Sequence, residues 1–194
     1  MKKKILITGS TGFIGSNIIN NLLKKNICTY ALLRVKNKKN ISINKLKKNK
    51  YYKPIFFKNN NELEKKLKNL KIDTIINCAT YYSNKNDTKT IQNLIQTNII
   101  FCSIVLEILN KKIQKFINFG SMMEYSYGNY FSPKNFYAIT KYSFQKIVEF
   151  YRFNNKRIKF YNLKLYETYG NNDNRKKIIP TIIKNYSKKQ AIKN

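Results

Sequence analysis

Lys4-Ile5-Leu6-Ile7-Thr8-Gly9-Ser10-Thr11-Gly12-Phe13-Ile14-Gly15 is the stretch on which the fold turns. Ile5 to Ile7 form a short apolar run, the pattern of a buried strand. Gly9, Gly12 and Gly15 follow at intervals of three. Beyond them Ile14, Ile18, Ile19, Leu22 and Leu23 recur at helical spacing. The segment reads as strand, glycine turn, helix, a unit that suits a dinucleotide pyrophosphate. Gly9 permits a tight turn, Gly12 lets the backbone approach a phosphate, and Gly15 lets the helix lie near the strand. The N–H groups at the helix start face the anion.

Working outward, strands are expected at residues 27–34, 55–57, 73–80, 115–120 and 158–165. Helical patterns fall at 62–70, at 88–110, after Pro133 and from Lys177 onward. Such alternation predicts an α/β fold with a doubly wound, mostly parallel sheet and right-handed crossovers. Residues 1–180 read as the dinucleotide-binding domain and 181–194 as the start of a carboxy-terminal part. The basic, Asn-rich stretch 36–50 leaves room for a short helix.

The 194 residues suffice for a proper core, and no run approaches a membrane span. There is no His and no C-x-x-C pair, which argues against a metal site of the zinc kind. Cys28, Cys78 and Cys102, an odd set without a signal-peptide core, fit a reducing cytoplasm. A net charge of +30 invites a nucleic-acid reading. However, Lys, Asn, Ile, Tyr and Phe are abundant together, and all have A/T-rich codons. The lysines are also spread along the whole chain. Biased composition is the preferred reading, with no specific nucleic-acid partner and only weak attraction to polyanions.

Later residues carry the chemistry. Tyr137 and Lys141 stand four apart at the start of a helix and share a face. An ammonium near a phenol favours phenolate and is expected to lower the Tyr137 pKa, so that Tyr137 can exchange protons near neutral pH. Ser121 closes the preceding strand, where its hydroxyl can bond the same substrate oxygen and stabilise charge developing there. The order is what gives the pair its value: glycine turn, Ser at a strand end, then Tyr-x-x-x-Lys.

These features together resemble the extended short-chain dehydrogenase/reductases, the sugar-nucleotide epimerases, dehydratases and reductases. The resemblance runs from Lys4 to about Pro180. It implies a catalytic set of Ser121, Tyr137 and Lys141, with Tyr137 and Lys141 also contacting the cofactor. It further implies a cofactor site at Gly9, Thr11, Gly12, Phe13, Ile14, Gly15, Arg34, Ala79 and Asn98. Asn98, the one polar member of an apolar helical stripe, reads as support more than as a reacting group. Tyr81 or Tyr82 could line a sugar site, or be plain loop aromatics. Where such proteins commonly carry an Asp that contacts adenine, Lys58-Asn59-Asn60-Asn61 stands instead.

No Asp or Glu precedes Asn61, so the carboxylate that an NAD site uses for the ribose 2′-hydroxyl is missing. Arg34 ends the second strand with Lys36, Lys38 and Lys39 after it, a field suited to a 2′-phosphate. NADP is therefore expected ahead of NAD.

Met122-Met123 occupies the place of the Asp-Glu of the 4,6-dehydratases and cannot move protons, which disfavours dehydration. The phrases 79–81, 120–125 and 165–175 are similar to reductases of nucleotide-linked 4-keto-6-deoxyhexoses, the CDP-abequose and CDP-paratose synthases among them. The implied activity is NADPH-dependent reduction of such a sugar. An NAD-dependent 4-epimerase, and a cofactor-binding remnant without turnover, are the rivals. The chain stops at Asn194, where such proteins continue into a substrate domain, so slow turnover is expected. The sugar, the base and the oligomeric state, a homodimer included, are left open.

Overall fold

In a computed structural model, the first strand, β1 (Lys4–Thr8), runs into the glycine turn and then helix α1 (Phe13–Lys24). The structure describes residues 3–35, 46–85, 87–126, 128, 130–170, 173, 175 and 177–187. Lys36, Lys38 and Lys39 of the expected anion field, and most of the stretch expected to hold a short helix, lie outside them.

Strands β2 (Cys28–Arg34) and β3 (Tyr52–Phe57) follow, then helix α2 (Asn60–Lys68) and β4 (Thr74–Asn77). Helix α3 spans Thr88–Leu109 and widens into a π-helical segment at Gln96–Phe101. Strand β5 (Lys115–Ser121) ends in a 3₁₀ turn, Met122–Glu124. Helix α4 (Phe136–Asn154) and strand β6 (Lys159–Leu165) come next.

The six strands form one sheet in the order β3-β2-β1-β4-β5-β6. The pairs β1–β2, β1–β4, β2–β3 and β4–β5 are all parallel. This is the doubly wound arrangement expected from the alternation of strands and helices. The order reverses beside β1, which puts the glycine turn at the switch point where ligands of such sheets bind.

Alternation within the strands divides the core. Ile5, Ile7, Ala31, Leu33 and Ile76 face one side with Ile19 and Leu23 of α1. Leu6, Leu32, Ile75 and Phe116 face the other, with Leu63 and Leu67 of α2, Val105 and Leu106 of α3, and Phe144 and Val148 of α4. Each Val, Leu, Ile or Phe among them contributes roughly 1.5–3 kcal/mol on burial. Helix α3 is itself long and apolar enough to pass as a membrane span, contrary to the reading that no run approaches one. In the fold Leu94, Phe101, Cys102, Val105, Leu106 and Leu109 are buried in the protein's own core.

The chain divides into two compact units, residues 1–164 and 165–194. Within the second, Arg175 pairs with Asp173 at 2.6 Å and donates to the Thr168 carbonyl at 2.6 Å. Lys177 pairs with Glu167 at 2.9 Å. Helix α5 covers Ile178–Ser187.

Candidate active site

The glycine turn is shaped by close backbone packing. Gly9 has φ +60°, and a Cβ on it would lie 2.5 Å from the Cys78 carbonyl and 2.6 Å from the Ala79 nitrogen. A Cβ on Gly15 would lie 2.3 Å from the Gly9 oxygen. Both positions exclude any side chain. Gly12 differs, since its Cβ would meet only the Gly9 oxygen, at 3.2 Å. The protein's own packing therefore nearly tolerates a methyl there, and the open cradle suits an approaching phosphate.

Helix α1 carries no side-chain cap at Gly12, whereas Asn59, Asp87 and Asn135 cap α2, α3 and α4. An uncapped helix start presents backbone donors to an anion. The residues present thus fit a dinucleotide pyrophosphate. Thr11 is exposed on the turn, and Phe13 and Ile14 are half-buried at the helix start. Ser10 Oγ donates to the Leu32 carbonyl at 2.8 Å and ties the turn to β2, at whose end Arg34 is exposed. In the stretch that replaces the adenine-contacting Asp, Asn59 accepts the Glu62 N–H at 3.0 Å as the cap of α2.

Ser121 and Tyr137 come together. The hydroxyls of Thr80 and Ser121 lie beside the Tyr137 phenol, and the Tyr82 ring meets the Tyr137 ring edge-on at 5.0 Å between centroids. Burial nevertheless dominates and raises the phenol's pKa. The neighbouring Thr80 hydroxyl opposes it, the Glu124 and Tyr82 charges add to it, and the Ser121 hydroxyl opposes it. This corrects the expectation that Lys141 lowers that pKa. Lys141 is itself buried, and burial pushes its ammonium pKa down, while Cys102, Glu124 and Cys78 pull it back up and Lys164 pushes it lower.

Asn98 clamps this group. Its Oδ1 accepts from the Tyr81 N–H at 2.8 Å and the Thr80 hydroxyl at 3.2 Å. Its Nδ2 donates to the Tyr81 carbonyl at 3.0 Å and to Thr140 Oγ1 at 2.9 Å. Both amide hydrogens and both acceptor sites are engaged within the protein. Asn98, grouped above with the cofactor contacts, thus spends its amide on protein partners.

A second polar system escaped the sequence reading. Thr8 Oγ1 donates to Asn77 Oδ1 at 2.6 Å, Asn77 to Asn118 at 3.0 Å, Asn118 to Asn162 at 2.8 Å, and Asn162 to Gln145 at 2.8 Å. Ala79 N–H donates to Thr8 Oγ1 at 3.0 Å, which holds Ala79 beside the turn. The chain crosses the sheet because Thr8, Asn77 and Asn118 are register partners in β1, β4 and β5. Single polar residues within apolar strand runs were the available signal. Lys164 donates to Gln145 at 2.5 Å and forms an ion pair with the fully buried Glu124, whose Oε1 accepts the Ser121 N–H at 2.7 Å.

A doubly wound sheet with an uncapped glycine turn at its switch point defines a dinucleotide-binding protein. The sequence profile of the NAD-dependent epimerase/dehydratase family matches residues 5–194, and the chain belongs to that family. It is 31% identical over 192 residues to a CDP-abequose synthase of Yersinia pseudotuberculosis, covering 98% of this chain and 64% of that protein. A CDP-abequose synthase of Salmonella typhimurium is 30% identical, with 98% and 62% covered. The chain thus spans under two thirds of the length of these relatives. Among solved structures, a UDP-glucuronic acid 4-epimerase from Bacillus cereus, in complex with NAD, superposes with a TM-score of 0.79. It is 23% identical, with 96% of this chain and 64% of that one covered. The Bordetella bronchiseptica protein WbmH, in complex with NAD⁺, has a TM-score of 0.76 at 19% identity, with 98% and 64% covered.

Proposed function

We propose that this chain is an NADPH-dependent oxidoreductase of a nucleotide-linked 4-keto-6-deoxyhexose, acting through Ser121, Tyr137 and Lys141. The observation that carries the reading is the placement of the Ser121 hydroxyl beside a half-buried Tyr137 phenol whose pKa is raised, chiefly by burial. A phenol that keeps its proton is matched to donating it to a ketone oxygen as that oxygen gains charge. The Ser121 hydroxyl stabilises the same oxygen. Lys141, one turn along α4, holds the ribose of the dinucleotide, while Gly9, Gly12, Gly15 and the start of α1 receive its pyrophosphate. NADPH, when bound, supplies the hydride. Arg34 favours the 2′-phosphate, and no carboxylate competes with it at the end of β2.

Similarity to CDP-abequose synthases favours reduction over 4-epimerisation, and Met122-Met123 speaks against dehydration. The free cysteines Cys28, Cys78 and Cys102 fit a cytoplasmic setting.

The test is to mix the purified protein with NADPH and a CDP- or dTDP-linked 4-keto-6-deoxyhexose and follow absorbance of the reduced nicotinamide. Oxidation should need the sugar and fall at least about a hundredfold in Tyr137→Phe, in line with the worth of a general acid. Cofactor affinity should stay nearly unchanged in Tyr137→Phe and weaken in Lys141→Ala. Sugar-dependent oxidation that survives Tyr137→Phe contradicts the proposal.

A further inference from the structure

Glu124 is fully buried in the 3₁₀ turn after β5, yet nothing in the chemistry above uses it. It closes a capping box on the 3₁₀ turn. Its carboxylate accepts the Ser121 N–H at 2.7 Å, while Ser121 Oγ accepts the Met123 N–H at 3.2 Å. A hydroxyl has one hydrogen and two acceptor sites. The Met123 bond occupies one acceptor site and leaves the Ser121 hydrogen to be given away.

Lys164 holds the other carboxylate oxygen and is itself tied to Gln145, which joins Glu124 to the amide chain that starts at Thr8. Gly120 makes the room, since a Cβ there would lie 2.9 Å from Glu124 Oε1 and 2.9 Å from Lys164 Cδ. The backbone before Ser121 is therefore shaped around this ion pair.

We propose that Glu124, locked by Lys164, is the residue that positions Ser121. It fixes the Ser121 amide so that the Ser121 hydroxyl hydrogen is directed at the Tyr137 oxygen or at a substrate oxygen beside it. The inference rests on the reading of Ser121, Tyr137 and Lys141 as the reacting set. The same carboxylate bears on the Tyr137 phenol, which is also faced by Tyr82 and by the hydroxyls of Thr80 and Ser121, with Lys141 one turn along its own helix. Glu124 adds to the upward push on the phenol pKa that burial begins.

The measurement is nuclear magnetic resonance on the chain as it stands, with no cofactor or sugar added. It records exchange of the Ser121 amide hydrogen and the titration of ring-labelled Tyr137, assigned through Tyr137→Phe. Two paired variants remove the ion pair without leaving a lone buried charge. Glu124→Gln with Lys164→Met keeps an acceptor for the Ser121 N–H. Glu124→Ala with Lys164→Met removes it. Ser121 exchange should stay slow in the first and rise about tenfold or more in the second, as befits loss of a hydrogen bond to a charged group. The Tyr137 midpoint should fall in both. Equal protection in the two variants, or an unmoved midpoint, overturns the proposal. So does a wild-type Ser121 amide that exchanges as fast as one in an open loop, a result that needs no variant to fold. Such a failure would leave the cofactor reading standing, and absence of dinucleotide binding would leave these exchange rates untouched.

Discussion

Asn98 Nδ2 donates to Thr140 Oγ1 at 2.9 Å and thereby ties the π-helical segment of α3 to the helix that carries Tyr137 and Lys141. The other face of the same amide closes a two-way bridge with the Tyr81 backbone. One side chain therefore sets the distance between the loop after β4 and the start of α4. Asn98→Ala leaves the Tyr81 N–H and C=O without these partners. We expect a loss of about 1–3 kcal/mol of stability, read as a lower denaturant midpoint with unchanged slope. An unchanged midpoint would show that the bridge is dispensable.

The glycines separate folding from binding. Gly15→Ala forces a Cβ to 2.3 Å from the Gly9 oxygen, a backbone atom that cannot swing away. Destabilisation of about 3 kcal/mol or more is expected. Gly12→Ala meets that oxygen at 3.2 Å and should fold within about 1 kcal/mol of the parent. Its methyl nevertheless stands where a phosphate approaches, so dinucleotide affinity should drop about tenfold. Thermal unfolding and calorimetry on the same samples check both halves. Equal effects of the two substitutions on stability would contradict this assignment.

Burial fixes the alkaline behaviour. It pushes the Cys78 thiol up to about 12 and the Tyr52 phenol up to about 12. Each group keeps its proton in the fold after the unfolded chain has lost it, above about 8.5 for Cys and about 10 for Tyr. Over those windows the folded state binds more protons, so both contributions are complete below them and stability falls as pH rises toward 12. Lys141, pushed down by burial, has the opposite sign and makes stability rise with pH below its ordinary value. Relative to the parent, Cys78→Ala should flatten the decline from about pH 8.5 and Tyr52→Phe only from about pH 10. Denaturant midpoints across that range read the differences. Parallel curves would contradict them.

Much of this was legible in the chain because local signals agreed. Apolar runs, glycine spacing and helical period all pointed to one doubly wound sheet. The positions of Ser121 and Tyr137 followed from their order along that topology. What escaped were contacts between residues far apart in sequence. The amide chain from Thr8 through Asn77, Asn118 and Asn162 exists only because register brings separate strands level. The burial that raises the Tyr137 pKa depends on Tyr82 and on packing that no spacing rule contains. Glu124 had a local signature, Ser-x-x-Glu, but its partner Lys164 lies forty residues on.

The central claim is that the glycine turn and Arg34 form an NADP site. Calorimetric titration of NADPH and NADH into the purified chain, repeated with Arg34→Asp, tests it most directly. The account predicts that NADPH binds more tightly than NADH and that the substitution reverses the preference. Absence of heat with either dinucleotide, or equal affinities that Arg34→Asp leaves unmoved, would contradict it.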